Sequence, residues 1–260
     1  MNTALILLII LFLLMFIVGG KLGLRSFFTL IFNFISLILM TILISINFSP
    51  IKITLIFCTI ISIITLFYIN GINKKSLSAL ISVLIVVVLT LLITYKIGSN
   101  AKIQGFGNEH AEDLAFLSLY INIDFSKIIF CEILIGLLGA IIDVSISISS
   151  SLYEIHKNNK FISKYNLFMS GMNIGSDILG SMTNTLFFAY IAGFMTLIIY
   201  FNELNYSLTS ILNSKVFCTE IFQSLCGGIG VILIIPITSF VTSEILNSNF
   251  VIKFSRKINL

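Results

Sequence analysis

The chain is predicted to be an all-α, polytopic membrane protein with about seven transmembrane helices, its N-terminus outside and its C-terminus in the cytoplasm. Three observations carry that prediction. Of 260 residues, 58% are hydrophobic and only 10% charged, with a mean hydropathy of +1.11. A soluble domain carries about a quarter charged residues, so this chain lacks the polar surface to cover a water-soluble globule. The apolar residues also fall into runs of about 20, the length that crosses a hydrocarbon core at 1.5 Å per residue. Finally, the cations cluster between alternate runs.

The first span is expected at 3–18. Lys21 and Arg25 follow it, whereas a cleaved secretory signal would place its cations ahead of the apolar run. A retained helix with an outside N-terminus is the expectation. The second span covers about 26–47. Ser49-Pro50 then opens the third, with proline at the first helical position and serine accepting the orphan amides; it runs to about Asn70. The short loop 71–76 carries Lys74 and Lys75, and the fourth span covers about 79–95. These four helices hold almost no ionisable group and read as scaffold. Lys52, at one mouth, can reach the interface by its long stem.

Residues 96–126 form the longest polar stretch, with Glu109, His110, Glu112, Asp113 and Asp124. Ala111, Leu114, Ala115, Leu117 and Leu119 give it the pattern of a short amphipathic helix on the outer surface. From Lys127 onward the spans change character. The fifth, at about 127–149, carries Glu132, Gly136, Gly139 and Asp143, with Asp143 and Ser147 on one helical face. Loop 150–164 follows. The sixth span is expected at about 183–201. The seventh, at about 225–246, contains Gly227, Gly228, Gly230 and Pro236, where a kink is expected because proline cannot donate to Ile232. The division is therefore one membrane domain: plain spans over 1–95, an extracellular loop over 96–126, and a polar-decorated region over 127–260.

With the N-terminus outside, the inner segments hold Lys21, Arg25, Lys74, Lys75, Lys157, Lys160, Lys164, Lys253, Arg256 and Lys257. The outer segments hold Lys52, Lys96, Lys102, Lys127 and Lys215. That bias is the positive-inside pattern. No internal repeat is evident. The net charge of +4 is too small and scattered for a nucleic-acid face. Cys58, Cys131, Cys218 and Cys226 form no CxxC pair, and His110 and His156 stand alone. No metal, cofactor or catalytic nucleophile is implied, and no enzymatic activity is expected. The frequent Ile, Asn, Lys and Phe point to an AT-rich, bacterial genome.

The densest polar stretch is Gly171–Thr185, GMNIGSDILGSMTNT. Asn173, Asp177, Gly180 or Ser181, and Asn184 recur at three- and four-residue steps as one stripe. Gly171 and Gly175 form a GxxxG, which lets helix backbones approach closely. A single helix over 166–201 would run to roughly 54 Å, far beyond the bilayer core, so a break is expected between Gly180 and Asn184. The segment 166–182 would then lie along the inner interface or re-enter the membrane. Thr183, Asn184 and Thr185 would supply polar partners at the break. Asp143 and Asp177 are the leading candidates to bind a cation or proton, because an intramembrane carboxylate is costly. Ser147, Asn173, Thr183, Asn184 and Thr185 complete the candidate solute or ion site, and Gly139, Gly171, Gly175, Gly180 and Pro236 are the candidate packing or breaking positions. Hydrogen bonding within the bundle is the competing role for all of these groups. Glu132 and Glu220 are expected near the outer ends, in reach of water.

At these residues the chain resembles the YibE/F-like family of bacterial multi-pass membrane proteins. The resemblance runs through Leu138-Gly-Ala-Ile-Ile-Asp143-Val-Ser-Ile-Ser-Ile-Ser-Ser, Glu154, and Met169 to Tyr190. It continues more loosely from Gly230 to Thr238 with Pro236. The length is similar to that of the shorter, YibF-type members. Where similar proteins carry a basic residue ahead of the motif aspartate, Ser176 stands here. The resemblance implies a plasma-membrane location and a paired YibE-type membrane partner. The combined expectation is a permease-like protein for a small solute or ion. The alternative is a non-transporting subunit that docks a paired membrane protein, or itself, through the glycine-rich helix.

Overall fold

The computed structural model describes residues 3–101, 103, 125–203 and 205–247. The amphipathic helix expected within the polar loop, and the C-terminal cations Lys253, Arg256 and Lys257, lie outside the described residues. Helix α1 spans Thr3–Ser45 and contains the first two expected spans, joined at Gly20, whose φ of 54° and ψ of −131° leave the helical region. Glycine takes a positive φ without a Cβ clash, and the break falls beside Lys21, where the two spans were expected to meet the interface. Helix α2 is Pro50–Asn70. Proline opens it as expected, but the Ser49 side chain makes no capping bond; the Ile53 N–H donates instead to the Ser49 carbonyl at 3.2 Å. Gly71, at φ 76°, ends it. Helix α3, Lys74–Asn100, is capped by Asn73, whose side-chain oxygen accepts from the Ser76 N–H at 2.9 Å.

Helix α4 is Phe125–Asn158, α5 is Lys164–Glu203, α6 is the short Leu208–Asn213, and α7 is Lys215–Asn247. Six of the described helices are long and apolar enough to cross a membrane. The break expected between Gly180 and Asn184 does not occur: α5 is one helix of 40 residues, about 60 Å long. Its hydroxyls bond back onto its own carbonyls, Ser176 to Met172 at 2.9 Å, Ser181 to Ile178 at 3.0 Å and Thr185 to Ser181 at 2.8 Å. Of the residues expected to serve the break, Thr185 bonds back onto the continuous helix, whereas the Thr183 hydroxyl is buried without a hydrogen-bond partner. Helices α4 and α7 are almost as long, and α5 packs along both. Helix α7 likewise continues through Pro236. The Thr238 hydroxyl, two residues on, is buried without a hydrogen-bond partner.

Helices α3, α4 and α7 form the centre. Between helices in lipid there is little hydrophobic driving force, so close packing of small residues and buried hydrogen bonds hold them. Ser78, Ala79 and Ser82 of α3 and Ser145 of α4 are fully buried, and the Ser145 hydroxyl donates to the Ala79 carbonyl at 3.1 Å. A Cβ on Gly98 would lie 2.5 Å from the Phe130 ring, and one on Gly230 would sit 3.5 Å from both Leu137 and Thr90. Leu134, Leu137, Ile141 and Ile148 of α4 meet Val83 and Val86 of α3 and Val231 and Ile234 of α7 in the same core. Helix α2 packs on this trio and carries α1, which touches it through Asn33 and Thr65 (3.3 Å) and through Met40 and Thr54 (3.7 Å).

Past the level of Lys74 and Lys75 the helices carry exposed ion pairs: the Lys164 ammonium donates to the Glu244 carboxylate at 2.8 Å, and Lys157 lies 3.8 Å from Glu154. With side chains 54% and 45% exposed, the first pair contributes under about 1 kcal/mol. Replacing Glu244 with glutamine is therefore expected to leave the thermal unfolding midpoint in detergent within about 2 °C of the parent.

Candidate functional site

Helix α5 presents two opposite faces. Its GxxxG face is consumed inside the chain. A Cβ on Gly171 would lie 2.6 Å from the Ser239 hydroxyl oxygen and 3.0 Å from Leu152, and one on Gly175 would overlap the Ile235 side chain. Two residues on from a position, a helix has turned by about 200°, so Asn173 and Asp177 point away from α7, with Gly180 and Asn184 beside them. All four are exposed, as is Thr185, and a Cβ on Gly180 would meet nothing within 4 Å. Thr183 lies at the flank, its hydroxyl buried without a hydrogen-bond partner.

The second polar face belongs to α4. Glu132, Gly136, Gly139, Asp143 and Ser147 recur at steps of three and four residues and are all exposed, although their neighbours Leu134, Leu137, Leu138, Ile141, Ile142 and Val144 are buried. Gly139 faces open space. This face forms a track about 22 Å long at 1.5 Å per residue. Two contacts set its register against α5: Gly171 meets Leu152, and Gly136 meets Tyr190. Interpolating between them places Asp143 level with the turn from Gly180 to Thr183, and Ser147 level with Asp177. The Ser145–Ala79 bond puts Asp143 roughly six residues, about 9 Å, inward of Lys75. Asp143 therefore sits in the half of the bundle that ends at Lys74 and Lys75.

At the other end of this track lies a cavity of about 580 Å³. Met40, Thr41, Ile44 and Ser45 of α1 form one wall. Ile128, Cys131, Glu132, Ile135 and Gly136 of α4, with Gln223 of α7, form the other. Gln223 is 5% exposed, and its amide stands beside both the Glu132 carboxyl and the Tyr190 hydroxyl. That hydroxyl is buried and makes no hydrogen bond of ordinary geometry. Tyr190 is admitted by two glycines: a Cβ on Gly136 would lie 2.5 Å from its oxygen, and one on Gly227 would lie 3.1 Å from its ring. Glu220 is near enough to Glu132 for two carboxylates there to repel each other.

Glu132 and Glu220 thus do more than end two helices near water. Together with Tyr190 and Gln223 they form the polar group at this end. Sequence reasoning passed over Gln223, though an amide within an apolar run was a visible signal. Tyr190 closed the family block without being read as part of a site. Replacing Gly136 with valine is expected to displace Tyr190 and reduce the cavity, a change readable as slower modification of a cysteine placed at Thr41. Among the described residues no cluster of three or more His, Cys, Asp or Glu side chains could hold a metal ion.

The family model described as YibE/F-like protein matches residues 7–248. No curated protein and no solved structure is significantly similar to the chain. The match reaches back through α1, α2 and α3, whose apolar sequences are too generic to carry a resemblance by themselves. It also takes in both polar faces and the cavity between α1 and α4. Nearly the whole multi-pass bundle is matched as one unit, and the chain belongs to the YibE/F-like family.

Proposed function

We propose that this protein is a permease-like carrier of a small solute or ion in the bacterial plasma membrane, with its path along the exposed face of α4. The observation that carries the reading is the track Glu132–Gly136–Gly139–Asp143–Ser147, which begins in the cavity and continues into the other half of the bundle. A carboxylate facing lipid costs about 2.5–3.5 kcal/mol on insertion scales. Two carboxylates with glycines between them, all on one face, are better accommodated by a wet path. In this scheme Asp143 binds the cation or proton and Ser147 coordinates beside it. Asp177, level with Ser147, extends the site, and Thr183 offers its unpaired hydroxyl at the level of Asp143.

The break at Gly20 supports counting α1 as two spans, for seven in all. Among the described residues, Lys21, Arg25, Lys74, Lys75, Lys157, Lys160 and Lys164 lie at one end of the bundle and Lys52, Lys96, Lys127 and Lys215 at the other, which supports a cytoplasmic C-terminus.

Cysteine accessibility tests the path. In a background with the four native cysteines replaced by alanine, cysteines at Gly139 and Ser147 are expected to react with a water-soluble maleimide. Cysteines at Ile232 and Phe240, apolar positions exposed on α7 that would face lipid in this scheme, are expected to stay unmodified. Equal protection at all four positions would remove the wet path.

One observation favours a second role. Asn173, Asp177, Gly180 and Asn184 face outward from α5 at steps of four, three and four residues, one continuous helical face. A second membrane protein, either a paired YibE-type chain or another copy, would cover that face. The docking surface would then be this stripe, since the GxxxG is already filled by α7.

A further inference from the structure

We propose that the cavity between α1 and α4 binds an ammonium group carried on a small apolar body. A volume of about 580 Å³ falls within the range of small-molecule sites, about 300–1,000 Å³, which are mostly apolar with a few placed polar groups. Met40, Ile44, Ile128 and Ile135 supply the apolar walls, and Glu132 and Gln223 supply the polar corner.

The chemistry of that corner selects the ligand. Among the described residues no lysine or arginine lines the cavity, and an anion would meet the Glu132 carboxylate there. A small bare metal ion would find one carboxylate and one amide in a space many times its size. A purely apolar occupant would add no partner for the Glu132 carboxylate, which has only the Gln223 amide beside it at this corner. An ammonium donates three hydrogen bonds. It can give one to the Glu132 carboxylate and another to the Gln223 carbonyl while its hydrocarbon fills the rest. Glu220, close enough to interact with Glu132, adds negative potential to the same corner. Tyr190 is wedged against Gly136 beside the Gln223 amide and fills the space behind it. The site rests on the permease reading for what its ligand is used for, and binding itself requires no transport.

Free alkylammonium solutes and amine-headed phospholipids share this chemistry, and one experiment separates them. The full chain carries a cysteine at Thr41, an exposed cavity residue, with its four native cysteines replaced by alanine. It is held in an uncharged detergent and treated with methanethiosulfonates bearing either an ammonium or a sulfonate. Each rate is normalised to that of a free thiol. The ammonium reagent is expected to react roughly tenfold faster, the range by which a charged cleft concentrates counter-ions. Glu132→Gln, nearly isosteric, is expected to bring the ratio close to one. Because a ratio cancels thiolate fraction and access, the comparison stands even where a variant alters overall reactivity.

Hexylammonium is expected to protect the cysteine, and hexanol at the same concentration is not. Protection by added phosphatidylethanolamine in place of hexylammonium would assign the ligand to the lipid, within the same chemistry. A ratio near one in the parent, or equal protection by hexanol, would overturn the proposal. If Asp143→Asn abolished flux while charge-selective labelling survived, the carrier and the cavity would be tested separately.

Discussion

Replacing Gly175 with leucine is expected to unseat α5 from α7 and to lower stability by more than about 3 kcal/mol. Even one extra methylene in a packed interior costs about 1–3 kcal/mol, and here a whole side chain would enter the volume of Ile235. The neighbouring Ser239 hydroxyl is engaged with the Ile235 carbonyl at 2.8 Å, so the α7 backbone has little room to give. Gly171→Leu should act in the same direction through Ser239 and Leu152. Leucine at Gly139 or Gly180, where open space lies within 4 Å, should cost under about 1 kcal/mol, a helix propensity term that favours leucine in part. Monodisperse yield and thermal midpoint in detergent would check the contrast. Similar losses at all four glycines would mean that α5 is not seated on α7 through Gly171 and Gly175.

Asp143→Asn is expected to reduce transport by at least about tenfold, equivalent to about 1.4 kcal/mol at the binding step, with unchanged folding. Asparagine keeps the shape and hydrogen-bonding capacity of aspartate and removes only the charge. The Asp143 carboxylate is exposed on the α4 face, at the level of Gly180 and Thr183, so the bundle loses no buried partner when it is neutralised. A group whose sole role was hydrogen bonding would tolerate the change. Ser147→Ala, one turn away, should reduce flux less, since only one neutral ligand is removed.

Much of this was legible in the sequence. Hydropathy and cation spacing located one end of most long helices, near Pro50, Gly71, Lys74, Lys127 and Leu246. But α4 runs on to Asn158 through much of the expected 150–164 loop, α5 begins at Lys164 rather than near 183, and α7 begins at Lys215 rather than near 225. Family-specific residues from Leu138 to Tyr190 marked the helices that carry both polar faces. The continuity of α5 was not legible. A length argument treats one helix against a fixed bilayer, whereas α4 and α7 extend with it and support its polar end. The partner of the GxxxG was hidden for a related reason: glycine spacing announces close approach without saying to what, and the answer, Ile235 and Ser239, lies some 60 residues on. The cavity at Glu132 depended on α1 folding back over α4, a long-range pairing that no local pattern encodes.

The most direct test of the path along α4 is cation flux in reconstituted vesicles. Purified protein is placed in liposomes containing a pH-sensitive dye, and a valinomycin-clamped potassium gradient drives charge-compensating proton or cation movement. The account expects parent protein to dissipate the gradient at least tenfold faster than empty liposomes, with Asp143→Asn falling to the empty-liposome rate and Glu244→Gln, at the water-exposed end, matching the parent. Parent-level flux through Asp143→Asn, with the protein inserted and folded, would contradict it.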